Sequence, residues 1–330
     1  MKAVTYNRKN RPDRLAYADA AIPEPKDDEV LIKVCASSLN ALDYRMIKMG
    51  ILPGGKIPGA DIAGIIERTG NKVQRFRPGD EVIGDISGHG LGGLAEYATA
   101  PENVLALKPA NLGFAESASL PLAAVTALQA LRDKGKIEKG KKVLIVGSSG
   151  GVGTYAIQIA RHYGGIVTSV CSTGNVEQTI SLGSDKVIDY KQEDFTRIND
   201  SYDIILAVNG NYPLTAYKRL LSPNGIYINA GGSMAQILKS VLLGKIMSFG
   251  SKKMLFLIAK TNSKDLEIIV SLAESGRIKP VIDKKYPFDK AIEAVRYIAQ
   301  GHARGKVVIN TGCKRSSGLK SGSGQQQGPV

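Results

Sequence analysis

The sequence predicts an α/β fold in which a doubly wound parallel sheet occupies the middle of the chain and a strand-rich body is built from its two ends. Three observations carry this reading. The apolar run Lys142–Val146, a glycine-punctuated turn, a helical stretch over 151–163 and a second strand, Ile166–Cys171, together form a β-α-β unit. Further strand signals at Lys186–Asp189, 202–208 and 225–230 alternate with helical stretches, as a parallel sheet requires. The part before about residue 121 instead reads as short strands broken by Gly and Pro.

Taken in order, strands are predicted at 30–37, 61–68, 81–84 and 95–99, with helix expected only after Asn40. The parallel sheet follows. Beyond Thr261 two helical stretches (263–275 and 289–299) and a last strand (306–309) return to the first body. This divides the chain into 1–122 with 262–313, an inserted 123–261, and a Gly, Ser and Gln-rich tail at 314–330 that has almost nothing to bury and is expected to be disordered.

Composition narrows the function classes. At 330 residues and 43% hydrophobic content, the chain is long enough for two cores. Its start lacks the apolar run of a secretory signal, and its longest apolar clusters fall far short of the ~20 residues a spanning helix needs. Cys35, Cys171 and Cys313 are odd in number and widely spaced, with no Cys-x-x-Cys pair, so unpaired thiols in a reducing cytoplasm are expected. The net charge of +14 is read first as a solvated basic surface, and the sequence carries no nucleic-acid recognition motif.

Gly147, Gly150 and Gly153 fall between a strand and a helix. A dinucleotide needs a tight turn there, a close backbone approach to its pyrophosphate, and close helix–strand packing. The N–H groups that open the helix then face the phosphates, so Gly147, Ser148, Ser149, Gly150, Gly151, Val152 and Gly153 form a candidate cradle.

From residue 1 to about 310 the chain resembles the medium-chain dehydrogenase/reductase superfamily, specifically its zinc-free quinone oxidoreductase branch. The segments that carry the resemblance are 23–25, 29–34, 38–44, 58–64, 76–82, 93–98, 120–128, 147–153 and 301–309, in shared order. It implies a GroES-like β-barrel catalytic domain from both chain ends, a Rossmann domain inserted between, a cleft at their junction, and a homodimer joined through the cofactor domains. Zinc alcohol dehydrogenases of the superfamily hold catalytic metal through Cys, His with an adjacent Glu, and Cys. The corresponding positions here are Asn40, Ala60 with Asp61, and about Leu122, so neither thiolate nor imidazole remains. The four-cysteine structural lobe is missing as well.

Without a metal, an oxygen gaining negative charge must be met by positioned donors while a nicotinamide supplies hydride. The resemblance assigns Asn40 and Tyr44 to the substrate oxygen, with Asp43 holding their network. The competing local reading has Asn40 capping a helix that starts at Ala41, with Asp43 in its first turn. Lys306 is read as able to reach the cleft, although a surface lysine is the preferred reading.

Thr126, the turn Val208, Asn209 and Gly210, and the turn Ala230, Gly231 and Gly232 are implied near the nicotinamide and its ribose. At the end of the second strand of the unit, where NAD-specific sites carry an acid, stand Ser172, Thr173, Gly174 and Asn175. These residues, with Tyr190 and Lys191, point to NADPH, with NADH the alternative. Gly174 is the departure, because many NADPH-using relatives carry Arg or Lys there.

The leading expectation is zinc-independent, NADPH-dependent reduction of a quinone or an α,β-unsaturated carbonyl. The alternative is an NADPH-binding protein with little turnover, as in the lens crystallins related to this branch. The basic, apolar segment 234–260 is read as a helix and strand at a dimer interface in preference to a peripheral membrane contact.

Overall fold

The computed structural model describes residues 1–7, 14–52, 57–248 and 250–313. The tail 314–330 lies outside them. The chain opens with a two-stranded antiparallel ribbon, β1 (Lys2–Tyr6) and β2 (Leu15–Asp19). Then come β3 (Glu29–Leu39), α1 (Ala41–Met49), β4 (Asp61–Thr69), β5 (Glu81–Asp85), β6 (Tyr97–Pro101), β7 (Leu105–Leu107) and two helices, α2 (Phe114–Ala118) and α3 (Pro121–Leu128). Apolar side chains alternate inward from these strands: Val30, Ile32 and Val34 of β3 pack against Ile62 and Ile66 of β4.

The inserted part runs β8 (Lys142–Val146), α4 (Gly151–His162), β9 (Ile166–Cys171), α5 (Val176–Ser181), β10 (Lys186–Asp189), β11 (Tyr202–Ala207), α6 (Leu214–Leu220), β12 (Leu221–Asn229), α7 (Met234–Met247) and β13 (Lys253–Phe256). Its sheet has six strands in the order β10-β9-β8-β11-β12-β13, all parallel. Val143, Ile145, Val167 and Ile204 are buried within it, which is why these strands read as continuous apolar runs. The order reverses at β8, and its carboxyl end is where an open sheet binds a ligand.

The chain ends with α8 (Ser263–Glu274), β14 (Ile282–Pro287), α9 (Ala291–Ala299) and β15 (Lys306–Asn310). β14 and β15 complete a seven-stranded sheet, β14-β15-β3-β4-β5-β7, with β6 also paired to β3. The sequence reading omitted β14, whose segment Ile282–Pro287 is polar and half exposed and so gives no apolar alternation.

Register is the feature of this sheet that matters most for the site. β15 runs antiparallel to β3 with Val307 opposite Leu39, which brings Lys306 beside Asn40. β4 pairs with β3 so that Asp61 lies opposite Ser38.

One expectation fails here. Cys35 and Cys313 are joined by a disulfide with Cα atoms 4.7 Å apart, and only Cys171 is a free, buried thiol. A sequence separation of 278 residues concealed the pair, because only the pairing of β15 with β3 brings the two ends together.

Candidate active site

A cleft of about 350 Å³ opens between the carboxyl end of the parallel sheet and the β3–α1 and β15 segments. The glycine turn forms its floor. Gly147 has φ +85°, and a Cβ there would meet Asn209 at 2.7 Å. Gly153 packs so tightly that a Cβ would lie 2.3 Å from the Gly147 carbonyl oxygen. Above Gly150 the only nearby atom is that same oxygen, at 3.7 Å, so the backbone there is open to an approaching group. These are the three separate duties of a dinucleotide turn, and the first turn of α4 presents its N–H groups to the same space.

At one end of the cleft Asn175 donates through Nδ2 to the hydroxyls of Ser149 (3.1 Å) and Ser172 (3.0 Å). Its Oδ1 is buried without a partner. An orphaned acceptor beside an open phosphate cradle suits a ribose hydroxyl, so the residues present fit a dinucleotide. Tyr190 lines the same end.

The other end is built from Asn40, Asp61 and Lys306. Lys306 Nζ donates to Asn40 Oδ1 at 2.5 Å and pairs with Asp61 Oδ2 at 3.1 Å, while Asn40 Nδ2 donates to Asp61 Oδ2 at 2.8 Å. Asp61 Oδ1 accepts the Leu122 N–H at 2.8 Å. Pro121 opens α3 without an N–H of its own, so the carboxylate serves the first donor of that helix and meets the positive end of its dipole. Burial pushes the Asp61 carboxyl up to about 6 even though the Lys306 ammonium holds it down. Asp43 accepts the Asn40 N–H through Oδ2 at 2.7 Å, and its other oxygen is buried without a partner. Burial takes its carboxyl up to about 7.

Lys306 is 2% exposed, so the preferred surface reading was wrong. Its stem lies against the helix start, Cδ being 2.9 Å from where a Cβ on Gly151 would sit. The ammonium thus stands between the phosphate cradle and the polar cluster. It also stands among Asn40, Asp61 and Leu122, the positions matched above to metal ligands.

The Asn40 amide is engaged on both sides, its Oδ1 accepting from Lys306 and its Nδ2 donating to Asp61. Asn40 is the N-cap of α1 with Asp43 in the first turn, as the local reading has it, and the Asp43 carboxylate closes that helix end by accepting the Asn40 N–H. The Tyr44 side chain lines the cleft, and its hydroxyl has no hydrogen-bond partner among the described residues.

Of the remaining predicted residues, Gly151, Val152, Val208, Asn209 and Gly232 line the cleft. The others do not. Ser148 is buried and donates to the Val170 carbonyl. Thr126 turns its hydroxyl back onto Leu122 O at 2.6 Å. Thr173 lines a separate groove with Gly174 and Asp189. Lys191 stands over the Tyr190 ring on a neighbouring groove. Gly210, Ala230 and Gly231 form the turns behind the wall: a Cβ on Gly231 would meet the Val208 carbonyl at 2.5 Å.

Sequence reasoning missed Arg45 and Arg304. Arg45 lies next to Tyr44 and reaches across the cleft to the Gly232 carbonyl. Arg304 belongs to the loop before β15. Arg304 carries no local signal beyond its place in a matching segment, and Arg45 none beyond its position next to one.

Residues 26–110 match the family of alcohol dehydrogenase GroES-like domains, and residues 182–309 match the zinc-binding dehydrogenases. The 2-methylene-furan-3-one reductase of Solanum lycopersicum is 38% identical, over 94% of this chain and 79% of that protein. The chain belongs to the medium-chain dehydrogenase/reductase superfamily, in its zinc-free quinone oxidoreductase-like branch. Two further members of the superfamily, both from Arabidopsis thaliana, are 35% identical. One is a chloroplast envelope quinone oxidoreductase homolog (89% of this chain, 93% of that one), the other an NADPH-dependent alkenal/one oxidoreductase (94% and 79%). The solved structure of the quinone oxidoreductase from Coxiella burnetii superposes with a TM-score of 0.83 at 28% identity, covering 94% of this chain and 99% of that one.

Proposed function

We propose that this protein is an NADPH-dependent reductase that delivers hydride, without a metal, to a quinone or an α,β-unsaturated carbonyl. The observation that carries the reading is one continuous cleft. The glycine cradle forms its floor, and Tyr44 and Lys306 both line it. NADPH, when bound, supplies the hydride. The chain's own part is binding, orientation and charge. Gly150 and the start of α4 receive the pyrophosphate, and Lys306 adds a buried cation beside it. Tyr44 donates its hydroxyl to the substrate oxygen as that atom gains negative charge. Asn40, Asp61 and Asp43 hold Lys306 and the β3–α1 corner in place. Leu39, Ala123 and Ile298 supply the apolar walls that keep water from the reacting centre.

The test is NADPH oxidation against a panel of quinones, enones and enals. Turnover on at least one class is expected, and Tyr44→Phe should lower it by roughly 10²-fold with cofactor affinity unchanged, in line with losing one oxyanion donor. Tight NADPH binding with no turnover on any acceptor would favour a binding protein instead. We also propose that the chain forms homodimers through α7 and the outer edge of β13. The large side chains Leu238, Leu242, Ile246 and Ile258 are 58–75% exposed along this face, and β13 ends its sheet. Leu242→Glu should shift sedimentation from dimer to monomer.

A further inference from the structure

Gly174 leaves the adenosine end of the cleft without the basic side chain expected after β9, and the opposite end of the chain fills that place. A Cβ on Gly174 would lie 3.1 Å from Nη2 of Arg304 and 3.7 Å from its Cζ. The guanidinium therefore covers the ground a side chain at 174 would cover. It lines the same cleft as Ser172, Asn175 and Tyr190. The backbone of Arg304 is fixed from two sides, its N–H donating to Asp283 Oδ2 at 3.1 Å and its carbonyl accepting from Gln178 Nε2 at 3.5 Å. Gly305 follows at φ +126°, where a Cβ would strike the Val281 carbonyl at 2.4 Å, so the loop has little freedom to swing away.

Of the nearby acids, Asp283 is already engaged and Asp189 is engaged through Oδ1, its Oδ2 being buried without a partner. Asp283 accepts from the Tyr297 hydroxyl at 2.7 Å as well as from Arg304 N–H, and Asp189 accepts the Lys191 N–H at 3.0 Å. Glu177 and Asp189 line the neighbouring groove under Thr173 instead of the cleft. The Arg304 guanidinium makes no ion pair among the described residues, although it is a fork of donors suited to bidentate contact with a phosphate.

We infer that Arg304 is the residue that selects the 2′-phosphate of NADPH, replacing from the β15 side the charge that Gly174 lacks on the β9 side. Resting on the NADPH reading above, this deepens it in two ways. It places the determinant outside the parallel sheet, in the segment leading into β15. It also makes the 2′-phosphate a tie between the two sheets, since Ser172 and Tyr190 belong to one and Arg304 leads into the other.

Calorimetric titration of the full chain with 2′,5′-ADP and with 5′-AMP tests this without turnover. Wild type should bind 2′,5′-ADP the tighter, and Arg304→Gln should weaken it roughly tenfold or more, the scale of one lost charge-assisted contact, while 5′-AMP changes less than twofold. Adding Gly174→Arg to Arg304→Gln should restore tight 2′,5′-ADP binding, because the new side chain enters the vacated space. The assignment is overturned if Arg304→Gln keeps the wild-type ratio of the two affinities, if both ligands weaken equally, or if the double variant stays as weak as the single one. A wild type that binds the two ligands equally well would instead overturn the NADPH preference itself, and the assignment with it.

Discussion

Replacing Lys306 by Met keeps the length and apolar stem of the side chain while removing its charge from a site where both partners are hidden from water: Lys306 is 2% exposed and Asp61 0%. Asp61 would keep only the Asn40 amide and the Leu122 N–H as donors. Breaking a buried ion pair from one side costs about 3–5 kcal/mol. At about 2–4 °C per kcal/mol for a chain of this size, the thermal midpoint should fall by about 6–20 °C.

The pH dependence that Asp61 gives the protein should also extend to higher pH in the variant. With the ammonium gone, only the Asn40 and Leu122 hydrogen bonds offset the burial that already lifts the Asp61 carboxyl to about 6, so its folded value rises further. Unfolded, it titrates near the ordinary aspartate value of 3.8. Between those values the folded protein binds the extra proton, so stability falls as pH rises, by about 1.4 kcal/mol per pH unit. Lys306→Met should be nearest to wild type at pH 5 and furthest from it at pH 8. Denaturant midpoints at pH 5, 6.5 and 8 measure this, and adding Asp61→Asn should recover most of the loss and flatten the slope. A Lys306→Met protein within about 1 kcal/mol of wild type at pH 8, or displaced equally at every pH, would refute the buried-pair argument.

Asp43 obeys the same sign rule: its carboxyl is raised to about 7, so Asp43→Asn should gain on wild type as pH climbs from 4.5 to 7, again by about 1.4 kcal/mol per unit, and a pH-independent difference in urea melts would count against it. Gly150→Ala should fold with a normal melting temperature yet lose cofactor affinity, since a methyl group there meets only the Gly147 oxygen at 3.7 Å but fills the cradle; Gly153→Ala should lose stability as well, its Cβ lying 2.3 Å from that oxygen. Activity should survive exhaustive chelation, and elemental analysis should find less than one zinc per chain; activity lost on chelation and regained with zinc would contradict the placing of Lys306 among the metal-ligand positions.

The sequence by itself determined the parallel sheet and the glycine cradle. Val143 to Val146 and Ile204 to Leu206 are apolar, and Val167 and Val170 flank them, because both faces of that sheet are covered, and such a signal needs no knowledge of distant residues. Gly147 and Gly153 are dictated by local backbone geometry and close packing, and so were legible for the same reason. Tertiary structure alone decided the chemistry around Lys306. Nothing within a few residues of Lys306 shows that β15 pairs with β3 in the register that buries it beside Asn40 and Asp61. The same pairing made the Cys35–Cys313 bond and set the Lys306 ammonium on the Asn40 amide oxygen. Local pattern reports which face of an element is apolar. The partner of a buried charge is set by strand register between the two ends of the chain, and so by the folded sheet as a whole.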